Sequence, residues 1–146
     1  MTRLRTRDPW MPAREFARML GGLSINLLVT DVERSLPFYA KVLELEVLYS
    51  DPDFAALEGP GGWHMMLHAD HTLDDSPAET ARLAQPGKRG SGAEIRLLGL
   101  DPDGVEARAT AAGYTINAPA KTYPHGWREC RLEDSNGYMF AVGILA

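Results

Sequence analysis

The chain has 146 residues, a formal net charge of −5, 45% hydrophobic residues and 24% charged residues. These values suit one small globular protein with its own core, and the negative charge argues against nucleic acid as the main partner. No apolar run is long enough to cross a bilayer, and the start lacks the hydrophobic stretch of a signal peptide. We therefore expect a cytoplasmic protein with no membrane partner. Its single cysteine, Cys130, suits a reducing compartment and is expected to be an inert packing residue.

Residues 1–21 are predicted to be an extension that precedes the repeated part of the chain. The first eight residues are basic, and we expect them to be frayed. Residues 12–20 can form a short helix with Phe16 and Met19 on one side. We predict that this helix covers an exposed edge of a sheet.

Residues 23–46 predict a strand that is followed directly by a helix. The run SINLLVT is apolar and β-rich, and it is too short for a buried helix. Asp31 can accept the unpaired N–H groups of a starting helix. Pro37 is tolerated if the first regular turn begins near Ser35. Three further strand candidates follow: EVLYSD, FAALEG and GWHMMLHA.

The same order of elements recurs about seventy residues later, which indicates an internal repeat. An apolar run near residue 93 is followed by an acidic turn and by a helical stretch that ends at Gly113. The strand candidates that follow are YTINAP, WRECRLED and YMFAVGIL. We predict an α+β fold with two βαβββ modules, 22–72 and 90–146, joined by a linker at 73–89. Each module is expected to form a curled mixed sheet around a cavity.

Each half of the repeat carries one longer motif: VTDVERSLPFYAKVL in the first and GWRECRLEDSNGYMFAVG in the second. Both motifs resemble signatures of the vicinal oxygen chelate superfamily, which includes glyoxalase I, the extradiol dioxygenases and the bleomycin-resistance proteins. The resemblance covers roughly residues 22–144 and is nearest to the bleomycin-resistance type. It implies the fold, but it does not imply one function, because a fold can host unrelated chemistries.

In metal-dependent members of this superfamily, the resemblance implies ligands on the first and last strands of each half. In this sequence those positions fall on Ser24, Met66, Glu94 and Ala141. Glu94 is the one good donor for a divalent cation in that set. His64 and His68 share a strand face with Met66 and could replace it, but a His68–Glu94 pair would still lack a third ligand. We therefore predict no metal and no other cofactor.

Alternate strand residues should instead line a cavity for a small molecule. The predicted ligand-binding residues are Ser24, Asn26, His64, Met66, His68, Glu94, Arg96, Trp127, Met139 and Ala141. A lone buried carboxylate is costly unless it is paired, so we expect Arg96, His64 or His68 to lie close to Glu94.

The segment Asp134–Gly137 ends in Asn-Gly, which favours a tight turn with positive φ. Its residues are predicted to determine the fold and to take no part in catalysis. A second motif, His68-x-x-His71, could bind a metal at the surface, but a loop without a second ligand pair is a weak site.

Two function classes remain. The favoured class is a non-catalytic protein that sequesters an antibiotic or another apolar or aromatic compound without a metal. The alternative is a metal-dependent lyase, isomerase or dioxygenase with displaced ligands such as His68 and Glu94. The resemblance also implies a homodimer, because small members usually pair so that their modules complete one another's sheets.

Overall fold

A computed structural model describes residues 5–72, 83 and 88–146. The predicted linker at 73–89, apart from residues 83, 88 and 89, lies outside the described residues. Within the described ranges, no helix has both the length and the apolar character needed to span a bilayer.

The helices and strands follow the predicted order. A short helix, α1 (Ala13–Met19), precedes the first module, which contains β1 (Ile25–Val29), α2 (Val32–Pro37), β2 (Glu46–Ser50), β3 (Phe54–Glu58) and β4 (His64–Ala69). The second module contains β5 (Ile95–Leu98), α3 (Pro102–Ala112), β6 (Ile116–Thr122), β7 (Trp127–Glu133) and β8 (Met139–Leu145). Each module therefore has the order β-α-β-β-β.

Each module folds its strands into one mixed four-stranded sheet. The strand orders are β1-β4-β3-β2 and β5-β8-β7-β6. The first and last strands of each module are parallel neighbours, and the other neighbours are antiparallel. The predicted α+β fold with two βαβββ modules is confirmed. Among the described residues, the two sheets remain separate and do not close into a barrel.

The helix of the first module begins earlier than predicted. Asp31 accepts a backbone N–H of the first turn at 3.0 Å, so α2 starts at Val32 and not near Ser35. Pro37 is the last residue of α2, and a π-helical turn, Phe38–Val42, follows directly. Proline has no N–H to donate to the preceding turn, and the helix changes its hydrogen-bond register at this point.

Alternate strand residues from both sheets share one hydrophobic core with the helices. Leu27 and Leu67 enter this core from the first sheet, and Leu97 and Phe140 enter it from the second. Phe38 packs against Phe140 with ring centroids 5.5 Å apart. Because side chains alternate along a strand, the predicted lining residues next to these core residues lie on the opposite faces of the sheets.

A buried polar network joins the modules at the predicted Asp134–Gly137 turn. Asp134 accepts hydrogen bonds from the Tyr39 hydroxyl at 2.7 Å and from the backbone N–H of Tyr138 at 2.8 Å. Burial and the neighbouring Asp134 carboxylate raise the pKa of Tyr39 well above its ordinary value, so its hydroxyl remains a donor. The predicted structural role of this turn agrees with these contacts.

Asn136 extends the network to the end of β1 and to α2. Its Nδ2 donates to Ser35 Oγ at 3.0 Å, and its Oδ1 accepts from the backbone N–H of Thr30 at 3.2 Å. Close by, the Tyr138 hydroxyl donates to the backbone oxygen of Leu28 at 2.7 Å. Side chains of the second module thus satisfy backbone groups at the edge strand β1.

Cys130 lies on the core side of β7 and is fully buried. Burial raises the pKa of its thiol to about 12, so the thiol remains protonated at neutral pH. This environment matches the predicted packing role.

Replacing Tyr39 by Phe removes one hydrogen bond from the buried Asp134 carboxylate. We expect the free energy of unfolding to fall by about 1.5–3 kcal/mol, the range for hydrogen bonds to charged groups. Urea unfolding measures this change. Tyr123→Phe is the matched control, with an expected change within about 0.5 kcal/mol because it alters a residue outside the network. Equal losses in the two variants would contradict the role of Asp134.

Candidate functional site

The N-terminal segment, residues 5–20, is bound to the first sheet. Arg5 Nη2 lies 3.0 Å from Asp51 Oδ2, and Thr6 donates to Asp53 from its backbone N–H at 2.6 Å and its hydroxyl at 2.7 Å. We call these four residues the carboxylate clasp. The expectation of a frayed start is wrong from Arg5 onward, because two buried carboxylates after β2 hold the segment.

The clasp carboxylates are also held by groups outside the segment. Asp51 Oδ1 accepts the backbone N–H groups of Asp53 and Phe54 at 2.8 and 2.9 Å, which orders the turn between β2 and β3. His71 Nε2 lies 2.7 Å from Asp53 Oδ1. Burial raises the pKa of Asp53, but hydrogen bonds from His71 and Thr6 outweigh burial and hold the pKa at about 2. Asp53 is therefore a carboxylate at neutral pH.

Aromatic side chains continue the contact beyond the clasp. The Trp10 ring stacks on Tyr49 with centroids 4.6 Å apart and an interplanar angle of 13°. Phe16 of α1 meets Phe54 of β3 edge to face, with centroids 5.7 Å apart. The prediction that α1 covers a sheet edge is wrong: it covers a sheet face, because Phe16 is clustered with Phe54 and Ala56 of β3, an inner strand of the sheet.

A cavity of about 200 Å³ lies between the N-terminal segment and this face of the first sheet. Its lining residues are Arg5, Pro9, Trp10, Met11, Ala13, Phe16, Phe54, Met66 and His68. Two of the predicted ligand-binding residues, Met66 and His68, form part of its floor. We call this cavity the segment pocket.

His68 gives the segment pocket an oriented polar group. Its Nδ1 lies 2.6 Å from Asn26 Oδ1, which joins two predicted site residues on neighbouring strands. A neutral amide oxygen accepts, so Nδ1 carries the proton in this contact. The His68 ring also packs against Phe54, with centroids 4.7 Å apart.

The second sheet places its predicted residues in a different arrangement. The predicted pairing of Glu94 with Arg96, His64 or His68 is wrong. Glu94 Oε2 lies 3.2 Å from Arg131 Nε, while Arg96 is paired with Glu129 of β7. The physical reason is the strand order, because β8 separates β5 from β7 and long arginine side chains reach across it.

Glu129 is the buried carboxylate of this face, with 1% of its side chain exposed. Gly143 of β8 lies opposite Glu129, and a Cβ at this position would lie 2.8 Å from Glu129 Cγ. Because glycine has no Cβ, the Glu129 side chain can lie over β8 at this point. His125 Nε2 lies 4.0 Å from Glu129 Oε1. No local pattern indicated this role, because in the sequence Glu129 is simply one of the first residues of a strand.

A second cavity, of about 240 Å³, lies between the modules. Its lining residues are Leu23, Ile25, Trp63, His64, Arg96, Leu97 and Leu98. His64 Nε2 is 2.8 Å from Glu58 Oε2, and Arg96 is held by Glu129. Both titratable groups of this cavity are therefore already engaged by carboxylates of their own sheets.

The predicted lining residues do not converge on one cavity. Met66 and His68 line the segment pocket, whereas His64 and Arg96 line the second cavity. Asn26 lines neither cavity but is bonded to His68. The remaining predicted residues lie outside both linings: Ser24, Glu94, Trp127, Met139 and Ala141. Ser24 is exposed just before β1, and Ala141 is buried on β8.

Sequence reasoning missed the contribution of the N-terminal segment. One signal for it was present in β3, whose run FAAL has no polar residue. All four side chains are buried, Ala55 and Leu57 in the main core and Phe54 and Ala56 under the segment. A continuous apolar run indicates a strand covered on both faces.

The donors at the family's metal-ligand positions do not fit a divalent cation. Met66 offers a thioether beside Asn26, and Ala141 offers no donor beside Arg96. The one carboxylate of the set, Glu94, is engaged by Arg131. In the part of the chain that the structure describes, no three His, Cys, Asp or Glu side chains are grouped as metal ligands would be.

The two histidines of the His68-x-x-His71 motif contact different partners. His71 is bonded to Asp53 of the clasp, and His68 is bonded to Asn26. Asp74 and Asp75, the nearby acidic residues, lie outside the described residues.

Comparison with known proteins identifies one family. The model of the Glyoxalase/Bleomycin resistance protein/Dioxygenase superfamily matches residues 23–142. No curated protein sequence matches the chain. The N-terminal segment precedes the matched range.

Solved structures share the fold at low sequence identity. TioX from Micromonospora sp. ML1 superposes with a TM-score of 0.64 at 21% identity, covering 86% of this chain and 99% of TioX. A glyoxalase-related enzyme from Fulvimarina pelagi gives 0.65 at 18% identity, covering 85% and 87% of the two chains. Lactoylglutathione lyase from Agrobacterium tumefaciens gives 0.59 at 17% identity, covering 85% and 92%. At these identities the likeness establishes the fold alone.

Replacing Asp53 by Asn tests the clasp, because an amide keeps the size of the side chain but loses its charge. We expect a lower free energy of unfolding at pH 7, by about 1–3 kcal/mol. The folded-state pKa of Asp53, about 2, is below its ordinary value of 3.8, so the stabilisation by the carboxylate is present above that value and is lost as the pH falls towards 2. The difference between wild type and Asp53→Asn should shrink over this interval.

Urea unfolding at a series of pH values measures that difference. Asp103→Asn is the matched control, because Asp103 forms an exposed pair with Arg128 and such pairs contribute little. If the difference in the free energy of unfolding between wild type and Asp53→Asn is constant from pH 5 to about pH 2, the Asp53 carboxylate does not stabilise the clasp through its charge.

Proposed function

The chain belongs to the glyoxalase/bleomycin resistance protein/dioxygenase superfamily, and from that premise we propose that it binds a small apolar or aromatic compound in the segment pocket without a metal. The observation that carries this proposal is the pocket's lining. Aromatic side chains from the N-terminal segment face Phe54, Met66 and His68 of the first sheet.

The chemistry of the segment pocket suits a flat, apolar body with one polar substituent. Binding sites for small molecules combine mainly apolar and aromatic walls with few, well-placed polar groups. Trp10, Phe16 and Phe54 supply rings, and Met66 supplies a polarizable side chain. His68, whose Nδ1 lies 2.6 Å from Asn26 Oδ1, is the polar side chain that the first sheet contributes to this lining.

Binding without a metal agrees with the donor set. A metal-dependent lyase, isomerase or dioxygenase would need several donors that converge on one point. Here a thioether, an alanine and an arginine-paired glutamate stand at three of the family's ligand positions. Sequestration therefore remains the favoured activity, and the bleomycin-resistance subtype remains a prediction.

A homodimer is part of this proposal. The outer strands β2 and β6 have one sheet neighbour each, and unpaired strand edges favour association with another chain. Light scattering should return twice the 16.1 kDa mass of the chain at micromolar concentration. A measured mass of 16.1 kDa would contradict the homodimer.

Met66→Gln tests the proposed site, because it keeps the side-chain length and places an amide in the pocket floor. We expect the affinity for 4-fluorophenol, followed by ¹⁹F NMR, to fall roughly tenfold because a bound ring would displace water from the amide. Met139→Gln is the matched control on the second sheet and should leave the affinity unchanged. Dialysis against EDTA should also leave it unchanged.

The proposal is contradicted if wild type fails to bind the probe at millimolar concentration or if Met66→Gln does not weaken binding. It is also contradicted if Met139→Gln loses binding, or if binding is lost after removal of a stoichiometric metal.

A further inference from the structure

We propose that Trp10 and Phe16 select the ligand by size, so that the segment pocket admits one aromatic ring and excludes a fused pair of rings. The carboxylate clasp holds these two side chains in their selecting position. This inference rests on the proposed function and assigns ligand selection to a part of the chain that precedes the family's matched range, residues 23–142.

The N-terminal segment provides one complete wall of the segment pocket. Six of the residues that line it lie between Arg5 and Phe16, and three lie on the first sheet. The sheet wall lies within the range matched by the family model, whereas the opposite wall, which we call the added wall, precedes that range. Ligand size is therefore limited by the distance at which the added wall is held from the sheet.

The added wall is stiff where it meets the cavity. Trp10 stacks on Tyr49 and contacts Phe16 edge to face, with centroids 4.6 and 5.4 Å apart. Phe16 is buried, with 8% of its surface exposed. Packed aromatic clusters resist insertion of additional atoms, because overpacking forces side chains away from their preferred rotamers. A larger ligand would have to separate these rings.

The volume of the pocket matches one ring. Its volume is about 200 Å³. A closed apolar cavity of about 150 Å³ holds benzene, so the segment pocket has room for one substituted ring. We therefore expect a second fused ring to fit only if the Trp10 or Phe16 side chain is displaced.

The position of the wall depends on the clasp because the local structure of the segment is weak. Helix α1 has seven residues and no side-chain N-cap, and helices this short are unstable in isolation. Gly21 and Gly22 join the segment to β1, and a Cβ added at either residue would meet no atom within 4 Å, so this junction is not packed. The links from Arg5 to Asp51 and from Thr6 to Asp53 therefore fix the far end of the wall.

The test compares two probes of different size, 4-fluorophenol and 6-fluoro-2-naphthol, by ¹⁹F NMR. Wild type should bind the one-ring probe more tightly. In Trp10→Ala the ratio of the two affinities should shift towards the two-ring probe by roughly tenfold or more, the discrimination that shape differences in apolar pockets provide. Trp10→Phe, which keeps an aromatic ring and the fold, should shift the ratio in the same direction by a smaller factor.

Trp63→Ala is the matched control, because Trp63 lines the second cavity and not the segment pocket. The ratio of the two probe affinities in Trp63→Ala should equal that of wild type. Asp53→Asn should shift the ratio towards the two-ring probe without any change to the pocket lining. The inference is overturned if the ratio in Trp10→Phe and Asp53→Asn equals that of wild type, or if Trp63→Ala shifts it as strongly.

The two proposals fail in different ways. If wild type binds neither probe, or if Met66→Gln does not weaken binding, the proposed function fails. If both probes bind through Met66 and their ratio is insensitive to Trp10 and Asp53, the binding function stands and size selection by the N-terminal segment fails.

Discussion

The arrangement of the two modules depends on the hydrogen bonds to the buried Asp134 carboxylate. It accepts the Tyr39 hydroxyl from the first module and orders the turn between β7 and β8 in the second. A buried charge is tolerated when several donors surround it, and the neighbouring Asn136 extends the same network to Ser35. With the modules joined in this way, one face of each sheet contributes to a shared core and the other face is left for other uses.

The faces that point away from the shared core carry different side chains on the two sheets. On the first sheet, small and aromatic residues of β3 accept the N-terminal segment and leave a cavity beneath it. On the second sheet, Arg96 and Arg131 are paired with Glu129 and Glu94, which places charged pairs over β8. An apolar ligand is favoured at the first face because it displaces little bound charge there. The same pairing engages the carboxylate that a metal would require.

Much of the fold could be predicted because local chemistry and side-chain periodicity act over a few residues. The two-residue period placed Met66 and His68 on one face of β4, and this face does line a cavity. Gly113 has φ 82° and ends α3, as expected of glycine at a helix C-terminus. The candidate site was predicted less well, because Met66 and His68 line the segment pocket whereas Glu94 and Ala141 do not.

The sequence by itself determined the two-module fold, the Asp134–Gly137 turn and the face on which each strand residue lies, because these follow from neighbours along the chain. The tertiary structure alone decided which charges pair and what covers each face. Arg96 is two residues from Glu94, but it reaches Glu129 because β8 brings β7 within range. Arg5 and Asp51 are far apart in sequence, and their contact exists because the turn after β2 buries a carboxylate that requires a donor.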